Sequence, residues 1–170
     1  MSPYFQNTMK IDNISTNDLE DKLEDFLEDK FDLDDKFENE ILDLILEAIE
    51  QENEDSKYYK ELLKLVENDK DKEAIRKIYL DDKKHFKIFS EIYKSLTGKE
   101  PIFEDEEIEI DDTLLEELED SIEQKLENVE LYRLILSSFL DVGIRDLIYE
   151  IITDEQGHAQ KLTNLSNKTK

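Results

Sequence analysis

The chain of 170 residues holds only two histidines, and each follows an acid by three places: Asp82 before His85 in "LDDKKHF", and Glu155 before His158 in "TDEQGHA". On a helix three places is close to one turn, so each carboxylate shares a face with its imidazole. Such a pair is a ready set of oxygen and nitrogen ligands for a divalent cation. Cysteine is absent, which excludes thiolate zinc, iron–sulfur clusters, disulfide scaffolds and thiol catalysis, and leaves the compartment open. Asp and Glu together number 47, so two acid-x-x-His spacings are a weak signal on their own. What raises them above composition is a repeat.

Compared with itself at an offset of 73, the chain places "AIEQENEDSKYYK" (48–60) on "SIEQKLENVELYR" (121–133), matching Ile-Glu-Gln and aligning Tyr59 with Tyr132. The same shift places "IRKIYLDDKKHF" (75–86) on "IYEIITDEQGHA" (148–159). Ile75 then meets Ile148, Ile78 meets Ile151, Asp81 meets Asp154, Asp82 meets Glu155 and His85 meets His158. One gapless shift aligns two helical pairs and both histidines, which ties the acid-histidine motifs to the architecture.

The elements that must position these groups are helical. Only 3 Gly and 2 Pro stand against many Glu, Lys, Leu and Ile, a composition that predicts an almost entirely α-helical chain. Residues 1–37 read as a leader: 1–14 have no periodicity, whereas "STNDLEDKLEDFLEDKF" (15–31) opens on cap residues and spaces Leu19, Leu23, Phe26, Leu27 and Phe31 as one helical face. This predicts an accessory amphipathic helix. Residues 38–170 form the main domain, with long helices expected at about 38–67, 70–97, 113–140 and 144–166. A tight turn near Asn68-Asp69 joins the first two, and a short link near Val142-Gly143 joins the last two. Between the pairs, "LTGKEPIFEDEEIEIDD" (96–112) is a stop signal followed by an extended acidic connection. A simple up-down-up-down bundle needs no connection so long. Two antiparallel hairpins with a long crossover make a ferritin-like four-helix bundle the expected architecture.

Along the inner stripes, charge interrupts the apolar pattern near the middle of every helix. The second helix reads Ile75, Ile78, Asp82, His85, Phe89, Ile92, Leu96, and the fourth Ile144, Leu147, Ile151, Glu155, His158, Leu162, Leu165. The first reads Ile45, Ile49, Glu52, then Asp55 or Ser56, then Tyr59, Leu62, Leu63; the third reads Leu118, Ile122, Lys125, Val129, Tyr132, Leu136. At about 1.5 Å per residue, antiparallel neighbours bring these groups to one level. Unpaired charges there would cost several kcal/mol each, so they must pair or bind an ion.

This pattern resembles the ferritin-like di-iron or di-manganese carboxylate proteins, which carry one Glu on each of two helices and Glu-x-x-His on each of the other two. The "AI-x-x-E" ending at Glu52 and the "TDEQGHA" around His158 are most similar to rubrerythrin-type members, over about residues 40–166. The resemblance implies Glu52 as a terminal ligand, Asp82 and Glu155 as bridges, and His85 and His158 each capping one metal. Tyr58, Tyr59 and Tyr132 read as core packing with a hydroxyl partner, with a redox role or a place behind the ligands as the alternative. The implied activity is that of a non-haem di-metal oxidoreductase handling peroxide, oxygen or iron. With no cysteine and hence no rubredoxin unit, it would draw electrons from an external donor.

The chain departs from the family pattern at the third helix, where Lys125 stands in place of the expected Glu, and Asn128 where rubrerythrin-like members carry a further carboxylate. Asp82 is one methylene shorter than the usual Glu. An ammonium cannot ligate while protonated and supplies +1 where a second metal would supply +2. A local shift presenting Glu123 or Glu127 would have to displace the stripe that Ile122, Val129 and Tyr132 define. We therefore expect at most one tightly bound iron or manganese ion, near Glu52, Asp82 and His85, with Lys125 in salt-bridge reach of Asp82 or Glu155. The contrasting expectation is a non-catalytic bundle that has lost the dimetal centre and serves binding or structure. An acidic interaction module imitating nucleic acid by charge is a third.

The formal charge of −25 disfavours nucleic acid and anionic membranes as partners and attracts cations. The acidic runs "EDEEIEIDD" and "DLDDKFENE" lack the glycine and alternation of an EF-hand loop and read as solvated surface. No apolar run approaches the roughly 20 residues of a membrane span, and the N-terminus lacks a signal-peptide stretch. A cytoplasmic protein is expected; homo-oligomerisation is left open.

Overall fold

A computed structural model describes residues 35–103, 108, 110 and 113–169, with side chains from residue 39 onward. The accessory helix expected within 15–31 lies outside the described residues. Four helices follow: α1 (Asp35–Leu62), α2 (Asp69–Thr97), α3 (Leu114–Ser138) and α4 (Val142–Thr169). α1 pairs with α2 and α3 with α4 as hairpins, while α1 also packs on α3 and α2 on α4. This is the all-α, ferritin-like bundle the sequence predicts.

Local chemistry sets the helix ends. Asn68 caps α2, its side chain accepting from the amides of Lys70 and Asp71, and Gly98 ends it at φ 70° with its N–H donated to the Lys94 carbonyl. That left-handed position is one where a Cβ is strained. Thr113 and Glu116 form a reciprocal capping box at the start of α3. At the link to α4, Asp141 accepts from the Ile144 amide at 2.8 Å. Arg145 donates to the carbonyls of Leu136 and Phe139, both at 2.8 Å, which fastens the end of α3 to the start of α4.

Boundaries differ from expectation mainly at the end of α1, which stops at Leu62 instead of continuing to about 67. The amides of Lys64 and Leu65 turn back to the carbonyls of Glu61 and Leu62, three residues earlier. That tightening ends the α-helical geometry and folds Val66 into the core. A connection of several residues thus replaces the tight turn. α4 is longer than expected at both ends, and α3 is slightly shorter.

The crossover runs the length of the bundle. Phe103 packs on the apolar cluster formed by Ile41, Ile45, Ile92, Ile135 and Ile144, among others. Ile110, seven residues later, packs on the opposite cluster of Leu62, Val66, Ile75, Leu118 and Leu165. Ile108 lies between these levels, over the α1–α3 groove. The two clusters are separated by a polar layer in which Glu52, Asp55, Asp82, His85, Lys125, Asn128, Glu155 and His158 are all buried. Every helix contributes to that layer.

The cap at Asn68 gives a direct test of how α2 is started. Asn68→Ala should destabilise the protein by about 1 kcal/mol, whereas Asn68→Gly should cost only a few tenths. Urea denaturation followed by helical circular dichroism distinguishes the two.

Candidate metal centre

Each helix delivers its polar groups by the same device, a mid-helix break in an apolar stripe. α1 presents Glu52, Asp55 and Tyr59; α2 presents Asp82 and His85; α3 presents Lys125, Asn128 and Tyr132; α4 presents Glu155 and His158. Glu123 and Glu127 point outward and are exposed, so no helical shift replaces Lys125.

The ammonium of Lys125 is the hub. Its Nζ lies 3.0 Å from Asp55 Oδ2, 2.9 Å from Asp82 Oδ1 and 3.0 Å from Glu155 Oε2, and 5.2 Å from the centre of the Tyr59 ring. It is fully buried. Burial alone would favour the neutral amine, but the three carboxylates outweigh it and hold the pKa well above the ordinary 10.5. Asn128 reinforces the cage, donating to Asp55 at 2.9 Å and to Glu155 at 3.4 Å.

The two histidines are not equivalent. His158 is engaged at both nitrogens, Nδ1 with Glu155 at 2.9 Å and Nε2 with Asp81 at 3.0 Å. His85 has Nδ1 3.2 Å from Glu52 and Nε2 3.5 Å from Asp154, yet neither nitrogen has the alignment of a hydrogen bond. Glu52 Oε2 and Asp82 Oδ2 are likewise buried without a partner. The other oxygen of Glu52 accepts from the Tyr132 hydroxyl at 2.7 Å. Glu52, Asp82, His85 and Glu155 each offer a ligand atom within 4.8 Å of the others. His158 stands outside this group, its nitrogens already committed.

The electrostatics show a centre short of positive charge. Burial raises the pKa of Glu52 even against the pull of His85, and burial raises Asp82 strongly in spite of Lys125. Burial also works against an imidazolium, but Glu52 beside it more than offsets this, so His85 sits well above its ordinary 6.5. Glu155 goes the other way: burial would raise it, but Lys125 and the hydrogen bond from His158 hold it well below 4.5. The chain's own cation thus offsets only part of the layer's negative charge and leaves the Glu52–His85 side holding protons or wanting a cation.

Four buried donors of oxygen and nitrogen type, three of them carrying unpartnered atoms, suit a hard or borderline divalent cation. The sequence model of the rubrerythrin family matches residues 43–166. The chain belongs to the rubrerythrin family. No curated protein and no solved structure matches it. Among the described residues, no helix is long and apolar enough to cross a membrane.

Within this rubrerythrin-family frame, the structure brings Glu52, Asp82, His85, Lys125, Glu155 and His158 into one buried layer, with His158 outside the ligand group. Tyr132 bonds Glu52, and Tyr59 lies under Lys125. Asp81, Asp154 and the full role of Asp55 went unassigned. The repeat already paired Asp81 with Asp154, and each lies against the histidine of the opposite helix. Periodicity alone places Asp55 only as a filler of the stripe. A cavity of about 230 Å³ between α1 and α3, roofed by Ile108, includes Asp55 and Tyr59 in its lining and brings the surface to the edge of the Lys125 cage.

Removing the hub should expose its role in stability. Lys125→Met leaves three carboxylates without their cation and should destabilise the metal-free protein by about 3–5 kcal/mol at neutral pH, read from denaturant midpoints. Glu155, with its pKa depressed, stabilises the wild type fully above about 4.5 and loses that contribution as pH falls through its lowered value. The gap between wild type and variant should therefore narrow on acidification.

Proposed function

We propose that this rubrerythrin-family protein holds a single iron or manganese ion through Glu52, Asp82, His85 and Glu155, and acts on oxygen, peroxide or iron. Lys125 takes the place of the second ion of a dimetal centre. The observation that carries this reading is the set of unpartnered buried atoms on Glu52, Asp82 and His85, all in one ligand group. Buried polar atoms are rarely left without a partner, and a cation would satisfy all three residues together.

Each side chain then has a definite task. Glu52 and Asp82 supply oxygens, His85 supplies a ring nitrogen, and Glu155 faces both the ligand group and Lys125. Tyr132 holds Glu52 in place through its hydroxyl. Asp81 and Glu155 fix His158 as a buttress. An iron or manganese ion held there would supply a one-electron couple toward a small oxidant, with reducing equivalents from an external donor. Lys125 holds a permanent positive charge beside the site without taking part in electron transfer.

One observation favours a second reading. Lys125 is already satisfied by three carboxylates, so the layer has part of its charge balance without any ion, as a non-catalytic binding or structural bundle requires. Metal analysis and calorimetric titration with ferrous iron and manganese decide between them. Wild type should bind one ion per chain. His85→Ala should abolish binding, with a smaller loss in His158→Ala. Lys125→Glu should raise the stoichiometry toward two, because it removes a repulsive charge and adds an oxygen ligand. Two ions in the wild type would overturn the single-ion claim, and a wild type that takes up none would leave the non-catalytic bundle as the function.

A further inference from the structure

We propose that the outward face of α2 is the docking surface for the chain's own N-terminal segment, residues 15–31. α2 is the one described helix with more basic than acidic residues, eight against six. Two of those acids are turned toward the core, Asp82 in the Lys125 cage and Asp81 on His158. The outward face therefore presents Lys77, Lys83 and Lys87 around Leu80, which is 54% exposed, with Arg76 paired to Glu73 at 3.2 Å and Lys94 to Glu100 at 2.7 Å. Lys83 extends over the Tyr79 ring, 5.5 Å from its centre, so apolar surface lies between the charges. In a protein of charge −25, a cationic face with an apolar centre is fitted to an acidic amphipathic partner.

The chain carries such a partner. Residues 15–31 contain seven Asp and Glu against two Lys, and they space Leu19, Leu23, Phe26 and Phe31 at helical intervals. The other three helices carry more acids than bases: ten against three in α1, seven against two in α3 and four against three in α4. They would repel this segment. α2 would attract it.

Connectivity favours the same chain over any other source. α1 begins at Asp35, and being antiparallel to α2 it begins at the end of the bundle where α2 finishes. Residues 32–34 can reach about 10 Å at most, so in the proposed docking Phe31 would lie near the level of Lys94. At about 1.5 Å per helical residue, the 17 residues of the segment, docked as a helix, would extend about 25 Å back along α2, to about Lys77. So short a tether also gives a local concentration in the millimolar range.

The absence of cysteine makes a cross-linking test clean. In the full-length chain, Leu19→Cys with Leu80→Cys should form an intramolecular disulfide at least tenfold faster than Leu19→Cys with Leu126→Cys, since Leu126 is equally exposed on α3. The product should be monomeric at every protein concentration. Lys83→Glu with Lys87→Glu should slow that cross-link severalfold, and it should raise amide exchange across 17–31 at least tenfold without changing bundle helicity. A cross-link no faster than the α3 control, a product that is dimeric, or exchange unmoved by the charge reversal would each overturn the proposal.

Discussion

The ammonium of Lys125 is fully buried, and its three carboxylate partners come from three different helices. Asp55 belongs to α1, Asp82 to α2 and Glu155 to α4, so one nitrogen on α3 fixes the level of all four. The layers above and below are largely Ile and Leu. Apolar layers of that kind discriminate poorly against sliding by one turn, about 5.4 Å, because another aliphatic side chain takes each vacated place. Sliding any helix past Lys125 would instead leave a buried charge unpaired, at a cost of several kcal/mol. The polar layer therefore sets the register that the apolar slabs then fill.

That layer was largely legible in the sequence because it is written in helical periodicity. Glu52, Asp82, Lys125 and Glu155 fall where an aliphatic residue belongs, and the offset of 73 shows that they are related in pairs. Pairings between helices were less legible, since periodicity says which face a residue occupies and not which neighbour it meets. Asp55 and Ser56 were interchangeable on the stripe, and only the structure shows Asp55 reaching Lys125. Asp81 sits beside the stripe, half-buried, and gains its role from His158 on another helix. The end of α1 was misplaced because Leu63 and Val66 extend the apolar pattern beyond the last α-helical turn. Val66 is buried through a tightened connection, a change of backbone that leaves no mark on periodicity.

The repeat also explains why the two halves of the centre differ. The shift that relates His85 to His158 relates Glu52 to Lys125, Asp55 to Asn128 and Tyr59 to Tyr132. On one side Tyr132 donates to the Glu52 carboxylate at 2.7 Å, whereas on the other the Tyr59 ring faces the Lys125 ammonium at 5.2 Å. Two repeat-related helices thus carry opposite charges at matched positions. The consequences spread through the neighbours. Lys125 draws Asp55 and one oxygen each of Asp82 and Glu155 to itself, and Glu155 in turn engages His158. The unclaimed atoms of Glu52, Asp82 and His85 are left together on the other side. The differences at matched repeat positions, Lys125 for Glu52 and Asn128 for Asp55, thus leave one closed half and one open half, and the open half holds the group that could bind a cation.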